Sequence, residues 1–318
     1  MKKTIIIAAM ILSFAVVHEQ NAKVQPPISG PDETVFIPGG VFTMGDDHQM
    51  PEEAPAHLVH VDGFWMMRTE VTNRSFARFV EATGYLTTAE RPGPSGEPPA
   101  SAVLTVPRTV EAGADHFDWW RMVEGASWRH PEGPGSSIDA RSDHPVVHVS
   151  HDDAAAFCAW WGGRLPTEAE WERAARGGKE GLDYVWGDIY PKESAPPANV
   201  WTGHFPTYND ASDGWIRTAP VAQYPANPYG LHDMAGNVWE WTADWYRADY
   251  YRQSPRSNPK GPSRADAWNP KNPNEAQRTT RGGSFACAPN HCARFRPSAR
   301  SATSPDTSLS HTGFRCTR

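Results

Sequence analysis

Cys287 and Cys292 stand in a glycine-led turn, GGSFACAPNHC at 282–292, followed by an arginine-bearing run to Arg300. A thiolate pair at this spacing can close a small disulfide, hold a soft metal such as Cu(I), or run thiol redox chemistry. Redox pairs of the oxidoreductase kind use Cys-x-x-Cys, so Cys-x-x-x-x-Cys has the wrong spacing for a simple thiol oxidoreductase. Zinc asks for four ligands, and only His291 lies nearby in sequence. Cu(I) accepts two thiolates in near-linear geometry and leaves room for a third thiolate from a substrate. In an oxidising compartment a plain disulfide is the usual outcome. The residues alone leave disulfide and copper both open.

The compartment is legible at the N-terminus. Lys2 and Lys3 precede an apolar stretch at 5–17, the charged start and short hydrophobic run of a secretory signal, expected to occupy 1–25. The mature chain is thus expected to be exported, periplasmic or secreted, with an even cysteine count that favours disulfides. No later stretch approaches the ~20 apolar residues that span a bilayer, so no membrane contact is expected once the signal is removed. A net charge of -7 supplies no electrostatic footprint for nucleic acid.

The 318 residues include 14 Trp, 30 Pro and 26 Gly, a composition suited to a loop-rich fold pinned by aromatic anchors. FIPGGVFTMG at 36–45 reads as two strands about a Gly-Gly turn, a hairpin. Thr72 offers an N-cap to a helix with Phe76, Phe79 and Val80 on one face and Gly84 as its stop. Ser150 opens a second helix with Asp153 in its third position, ended by Gly162 and Gly163 and carrying Cys158. Thr167 and Glu170 form a capping box for a third, closed at Gly177. The stretches 86–144 and 183 onward are too rich in Gly, Pro, Asn and Asp for long elements. The fold expected is α+β: three helices on a mixed, short-stranded sheet with long ordered loops, in one domain at 33–318. Arg294, Arg296 and Arg300 read as a solvated face with internal ion pairs rather than a basic patch.

RLPTEAEWERAARGG at 164–178, NPYGLHDMAGNVWEWTADWY at 227–246, RGGSF at 281–285, HTGFR at 311–315 and the stretch 119–160 resemble, in order and spacing, the formylglycine-generating enzyme (sulfatase-modifying factor) family. The resemblance spans about 33–318 and implies a C-type-lectin-like domain. It implies an enzyme that converts the Cys of a sulfatase Cys-x-Pro-x-Arg motif to Cα-formylglycine with O2 and a thiol reductant, acting on unfolded sulfatase polypeptide, here as a monomer. By the same match Cys287 and Cys292 would bind Cu(I), Ser284 would lie near the reacting thiol, and Trp239 would line the pocket. GNVWEW also reads as a buried strand in which Trp239 is core.

Two structural Ca2+ sites are implied as well: side-chain oxygens of Asn199 and Asp213 with carbonyls of Val200 and Trp215, and Asp233 and Glu240 with carbonyls of Gly236 and Val238. Such oxygen-only sets suit Ca2+. Cys158 and Cys316 match a family disulfide. Ala-Pro-Asn-His between Cys287 and Cys292 departs from the His-x-Ser-Tyr that relatives often carry, so this wall of the groove is altered. Most of these blocks are shared with non-catalytic relatives, which leaves a binding module with a plain Cys287–Cys292 disulfide as the alternative.

Overall fold

In the computed structural model, residues 33–107, 109–110, 119–191 and 195–318 are described; the expected signal at 1–25 lies outside them. The three α-helices among the described residues begin and end where local chemistry places their caps. In α1 (Asn73–Thr83) the Thr72 side chain accepts from Ser75 N–H, and left-handed Gly84 returns its N–H to Val80 O. In α2 (His151–Trp161) and α3 (Glu168–Arg176) complete capping boxes, Ser150 with Asp153 and Thr167 with Glu170, satisfy the first-turn donors that a bare helix end leaves unpaired.

The strands are short and their pairing is non-local. β1 (Thr34–Ile37) and β2 (Gly40–Met44) flank the Gly-Gly turn but do not form the expected hairpin. β1 pairs antiparallel with β4 (Phe64–Met67), and β2 with β3 (His57–Val61). Each strand pairs across the other chain segment, and the two turns come close enough that a Cβ on Gly39 would sit 2.7 Å from Gly63 N, an approach glycine permits. β5 (Ala100–Leu104) and β6 (Trp120–Glu124) form a third ribbon, and β7 (Gly203–His204) and β8 (Tyr208–Asn209) a fourth.

The largest sheet has the order β11-β10-β9-β12, from β9 (Trp239–Trp245), β10 (Arg278–Arg281), β11 (Arg300–Thr303) and β12 (Thr312–Gly313). β12 runs parallel to β9 and the other pairs are antiparallel, so the sheet is mixed, as expected. Trp241 on β9 is fully buried and donates its indole N–H to Val149 O at 3.0 Å, which docks the sheet on the entry to α2.

One core packs α1 and α2 over this sheet: Phe76 stacks on Phe157 with centroids 5.8 Å apart, and Phe314 meets both edge-on. Cys158 and Cys316 lie in the same cluster and are joined as a disulfide, the pairing the resemblance implies. A second core lies between β1–β4 and α3, with Ile37, Phe42, Met66 and Trp171. Each such side chain removed from water stabilises by ~1.5–3 kcal/mol before entropy is counted. This is a single α+β domain, and no helix among the described residues is long and apolar enough to cross a membrane.

Candidate active site

The cysteine turn is the connection 282–299 between β10 and β11, and its base is closed by charge. Arg281 and Arg300 are register partners, both fully buried. Arg300 clasps Glu168 with two hydrogen bonds of 2.7 Å. Arg281 donates to Glu168 Oε1 at 3.0 Å and to Glu172 Oε2 at 2.6 Å, and Arg176 also bonds Glu172 at 2.7 Å. Buried ions persist only when paired and hydrogen-bonded, so this five-residue network fixes α3 against both ends of the turn. The expectation of a solvated arginine face is therefore corrected: Arg296 and Arg300 are buried, Arg296 bound to Glu53 and Arg294 to Glu52. The ion pairs exist, but carboxylates from distant segments draw the cations inward.

Within the turn, Gly283 has φ +71° and a Cβ there would lie 2.9 Å from Phe295 N, so the chain folds flat on its own return. Ser284 is fully buried. Its carbonyl accepts from Cys287 N–H at 2.9 Å and its Oγ accepts from Ala286 N–H at 3.2 Å. Trp201 N–H donates to Cys287 O at 2.9 Å. Cys292 (φ 69°) and Ala293 (φ 50°) are left-handed, a region non-glycine residues seldom adopt, and this reversal brings Cys292 back over Cys287. The two sulfurs are joined, with Cα atoms 5.1 Å apart. Cys287 is buried and Cys292 only partly so, which leaves the pair approachable from one side.

Two aromatic clusters flank the pair. One contains Trp239 and Phe295 with Cys287 and Cys292, packed against Tyr184, Trp186 and Tyr190; Tyr184 and Trp186 stack at 4.9 Å and 3°. Trp239 opens β9 and is buried, so it is a core residue whose ring also belongs to the sulfur side. The other cluster has Trp119, Trp201, Phe205 and Phe285. Here the unusual Ala-Pro-Asn-His has its effect: His291 stacks on Phe205 at 4.2 Å and 8° and meets Trp119 edge-on at 5.5 Å. Asn290 Nδ2 donates to Phe205 O at 3.1 Å. The segment between the cysteines is clamped to Phe205.

The residues expected to hold calcium fall into two neighbouring groups. Asn237 N–H donates to Asn199 O at 2.7 Å, and Asn199 Nδ2 donates to Arg217 O and Asn237 Oδ1. That leaves Asn199 Oδ1 buried and without a partner. Asp213 takes Val200 N–H on one oxygen and Trp215 N–H on the other, each at 3.0 Å, and burial pushes its carboxyl up to about 6. An orphaned amide oxygen beside a desolvated carboxylate fits a hard cation.

In the second group Asp233 takes Ala222 N–H at 2.7 Å, while Gly236 N–H donates to Gly282 O at 2.9 Å, tying this loop to the cysteine turn. Val238 is the fully buried residue just before β9. Glu240 is held by Arg315 through two bonds of 2.7 Å and by Trp171 Nε1 at 2.8 Å, so its charge is already compensated. The unmet acceptors belong to Glu70, which sequence reasoning missed: it is buried and neither carboxylate oxygen has a partner. Desolvation, then the nearby Asp233, holds its carboxyl well above the usual range. Its signal was a lone acid in the otherwise inward-facing TEVT at 69–72. Among the described residues no three His, Cys, Asp or Glu converge as a metal cluster; the sets above lean on amide and carbonyl oxygens instead.

Fold and site define a loop-rich α+β protein built around a partly open two-sulfur centre. The chain belongs to the sulfatase-modifying factor family: residues 20–318 match the sulfatase-modifying factor enzyme 1-like domain. It is 45% identical over 291 residues to the formylglycine-generating enzyme of Bos taurus, covering 91% of this chain and 75% of that protein. It is 39% identical to the inactive C-alpha-formylglycine-generating enzyme 2 of Bos taurus, covering 89% and 86%. Among solved structures, PvdO from Pseudomonas aeruginosa superposes with a TM-score of 0.59 at 25% identity, covering 90% of this chain and 93% of that one.

Proposed function

We propose that this chain converts the cysteine of a sulfatase Cys-x-Pro-x-Arg motif to Cα-formylglycine, using O2 and a thiol reductant, with Cu(I) bound by Cys287 and Cys292. The observation that carries the reading is the sulfur pair itself, gathered in a turn that three ion-paired elements hold in place and left open on the Cys292 side. Reduction of the pair frees two soft thiolate donors, a donor set that suits Cu(I) better than Zn2+ or Ca2+. Bound there, copper would supply the O2 chemistry that oxidises the substrate thiol carbon, sulfur leaving as sulfide.

The protein's own part is positioning. Cys292, the less buried of the two cysteines, faces the incoming substrate thiol, and the aromatic clusters about Trp239 and Phe205 flank the pair. Ser284 Oγ already accepts one hydrogen bond, so its O–H is available to donate toward the reacting group. Ca2+ at Asn199 and Asp213, with Val200 and Trp215, and at Asp233 with Glu70 in place of the ion-paired Glu240, together with Gly236 and Val238, would hold the loops under the turn and take no part in the chemistry. The substrate is an unfolded, exported sulfatase chain.

One observation favours a second reading. The pair is joined as a disulfide, which a non-catalytic binding module would retain. Incubating the reduced, copper-loaded protein with a Cys-x-Pro-x-Arg peptide, O2 and thiol separates the two. Conversion of the cysteine to an aldehyde supports the oxidase; an unchanged peptide together with no copper binding leaves the binding module.

A further inference from the structure

Beside the cysteine turn lies a half-enclosed cavity of about 370 Å³, within the ~300–1,000 Å³ typical of ligand sites. It adjoins the sulfur centre, because Val185, Trp186 and Ala235 line it and also pack in the cluster of Cys287, Cys292 and Trp239. Leu231, Met234, Pro225, Ala226 and Pro228 line it as well, and Pro225, Ala226, Pro228 and Lys179 are exposed. The lining mixes apolar side chains, Trp186, Leu231, Met234 and the prolines among them, with the polar Lys179, Tyr224, Asn227 and Asp233, and the wall at 224–226 is preformed. Tyr224 donates its O–H to Asp213 O at 3.0 Å and its carbonyl takes the His232 ring nitrogen at 2.8 Å. Asp213 and Asp233 anchor this wall from either end.

We propose that the cavity is a second substrate subsite, which takes one aromatic or branched aliphatic side chain of the same polypeptide, outside its Cys-x-Pro-x-Arg motif. This rests on the oxidase reading above and adds a basis for choosing unfolded clients. A folded protein keeps its large apolar side chains inside, whereas an unfolded one presents them within reach of the reactive cysteine. Trp186 and the prolines offer flat apolar surfaces with little rotamer entropy to lose, which suits a ring or branched chain.

The test compares three peptides: the bare pentapeptide motif, a long unstructured peptide with the motif and flanking aromatic residues, and the same long peptide with those aromatics changed to Ser. Burying one such side chain gives the aromatic peptide a KM about 10- to 100-fold below the other two. Ala226→Trp, which plugs the mouth from an exposed position, collapses that ratio toward one at unchanged melting temperature. Equal KM values for all three peptides, or an intact ratio in Ala226→Trp, overturn the proposal. Failure to convert any peptide overturns the oxidase reading instead. Anisotropy titration of the long peptides with Ser in place of the reactive Cys then decides the subsite, since aromatic-dependent binding lost in Ala226→Trp upholds it and its absence sinks it.

Discussion

Glu168→Gln is the most informative single change to the scaffold under the cysteine turn. The carboxylate is nearly inaccessible and accepts from Arg300 Nε and Nη2 at 2.7 Å, from Arg281 Nη1 at 3.0 Å and from Tyr251 O–H at 3.2 Å. The amide keeps the shape but presents one acceptor and two donors to two buried guanidiniums. Arg281 retains Glu172, whereas Arg300 loses this carboxylate and is left with at most the single amide oxygen, the carbonyls of Glu52 and Arg247 at 3.3 and 3.1 Å and the rings of Tyr246 and Tyr251. Removing one partner of a buried pair costs ~3–5 kcal/mol, a large share of a typical ~5–15 kcal/mol stability. At ~2–4 °C per kcal/mol for chains of this order of size, the melting temperature falls by roughly 6–20 °C. Because both arginines frame 282–299, Cys287 and Cys292 also become more reactive to a thiol reagent under mild reductant. Calorimetry and timed alkylation read both effects. A loss below about 1 kcal/mol with unchanged alkylation would mean that the ion network does not hold the turn and would refute the argument.

Cys292→Ser abolishes peptide oxidation and copper binding with little change in melting temperature, whereas Cys158→Ala, which opens a disulfide of sequence separation 158, costs ~4 kcal/mol or more in the chain-entropy account; peptide mass and denaturant unfolding read the two. Chelation by EDTA lowers the melting temperature and excess Ca2+ restores it, by ~2.7 kcal/mol at a hundredfold excess over Kd, and Asn199→Ala with Glu70→Gln removes the response; an EDTA-insensitive wild type sinks the calcium assignment. Asp244 is pushed up to about 8 by burial and then by Glu168. An acid raised on folding binds more protons in the native state, so its contribution to stability falls between about pH 4 and pH 8. Asp244→Asn flattens that part of the melting-temperature profile, and an unaltered slope in the variant counts against it.

What was legible in the sequence followed from how far each determinant reaches along the chain. Thr72, Ser150 and Thr167 act within three residues, so all three helices and their glycine stops were placed from local chemistry. The hairpin failed on the same ground: Gly39 and Gly40 satisfy a local turn signal, but β1 and β2 are paired by β4 and β3, and no short window contains those partners or the approach of Gly39 to Gly63. Arg296 and Arg300 looked solvated because their partners, Glu53 and Glu168, stand 243 and 132 residues away. Glu70 was passed over because a carboxylate shows its meaning only once both its oxygens are buried without donors. The cysteine pair sits between these cases. Its chemistry is local and was read as open between copper and disulfide, and that openness is physical, because the turn that closes Cys287 on Cys292 also leaves Cys292 partly exposed. A sulfur pair exposed on one side is open to reduction by a thiol, and a reduced pair held by Arg281 and Arg300 at its base keeps its two donors together. Under the proposed oxidase reading, disulfide and metal centre would be two states of one turn, and the reductant that reading requires would convert the first into the second.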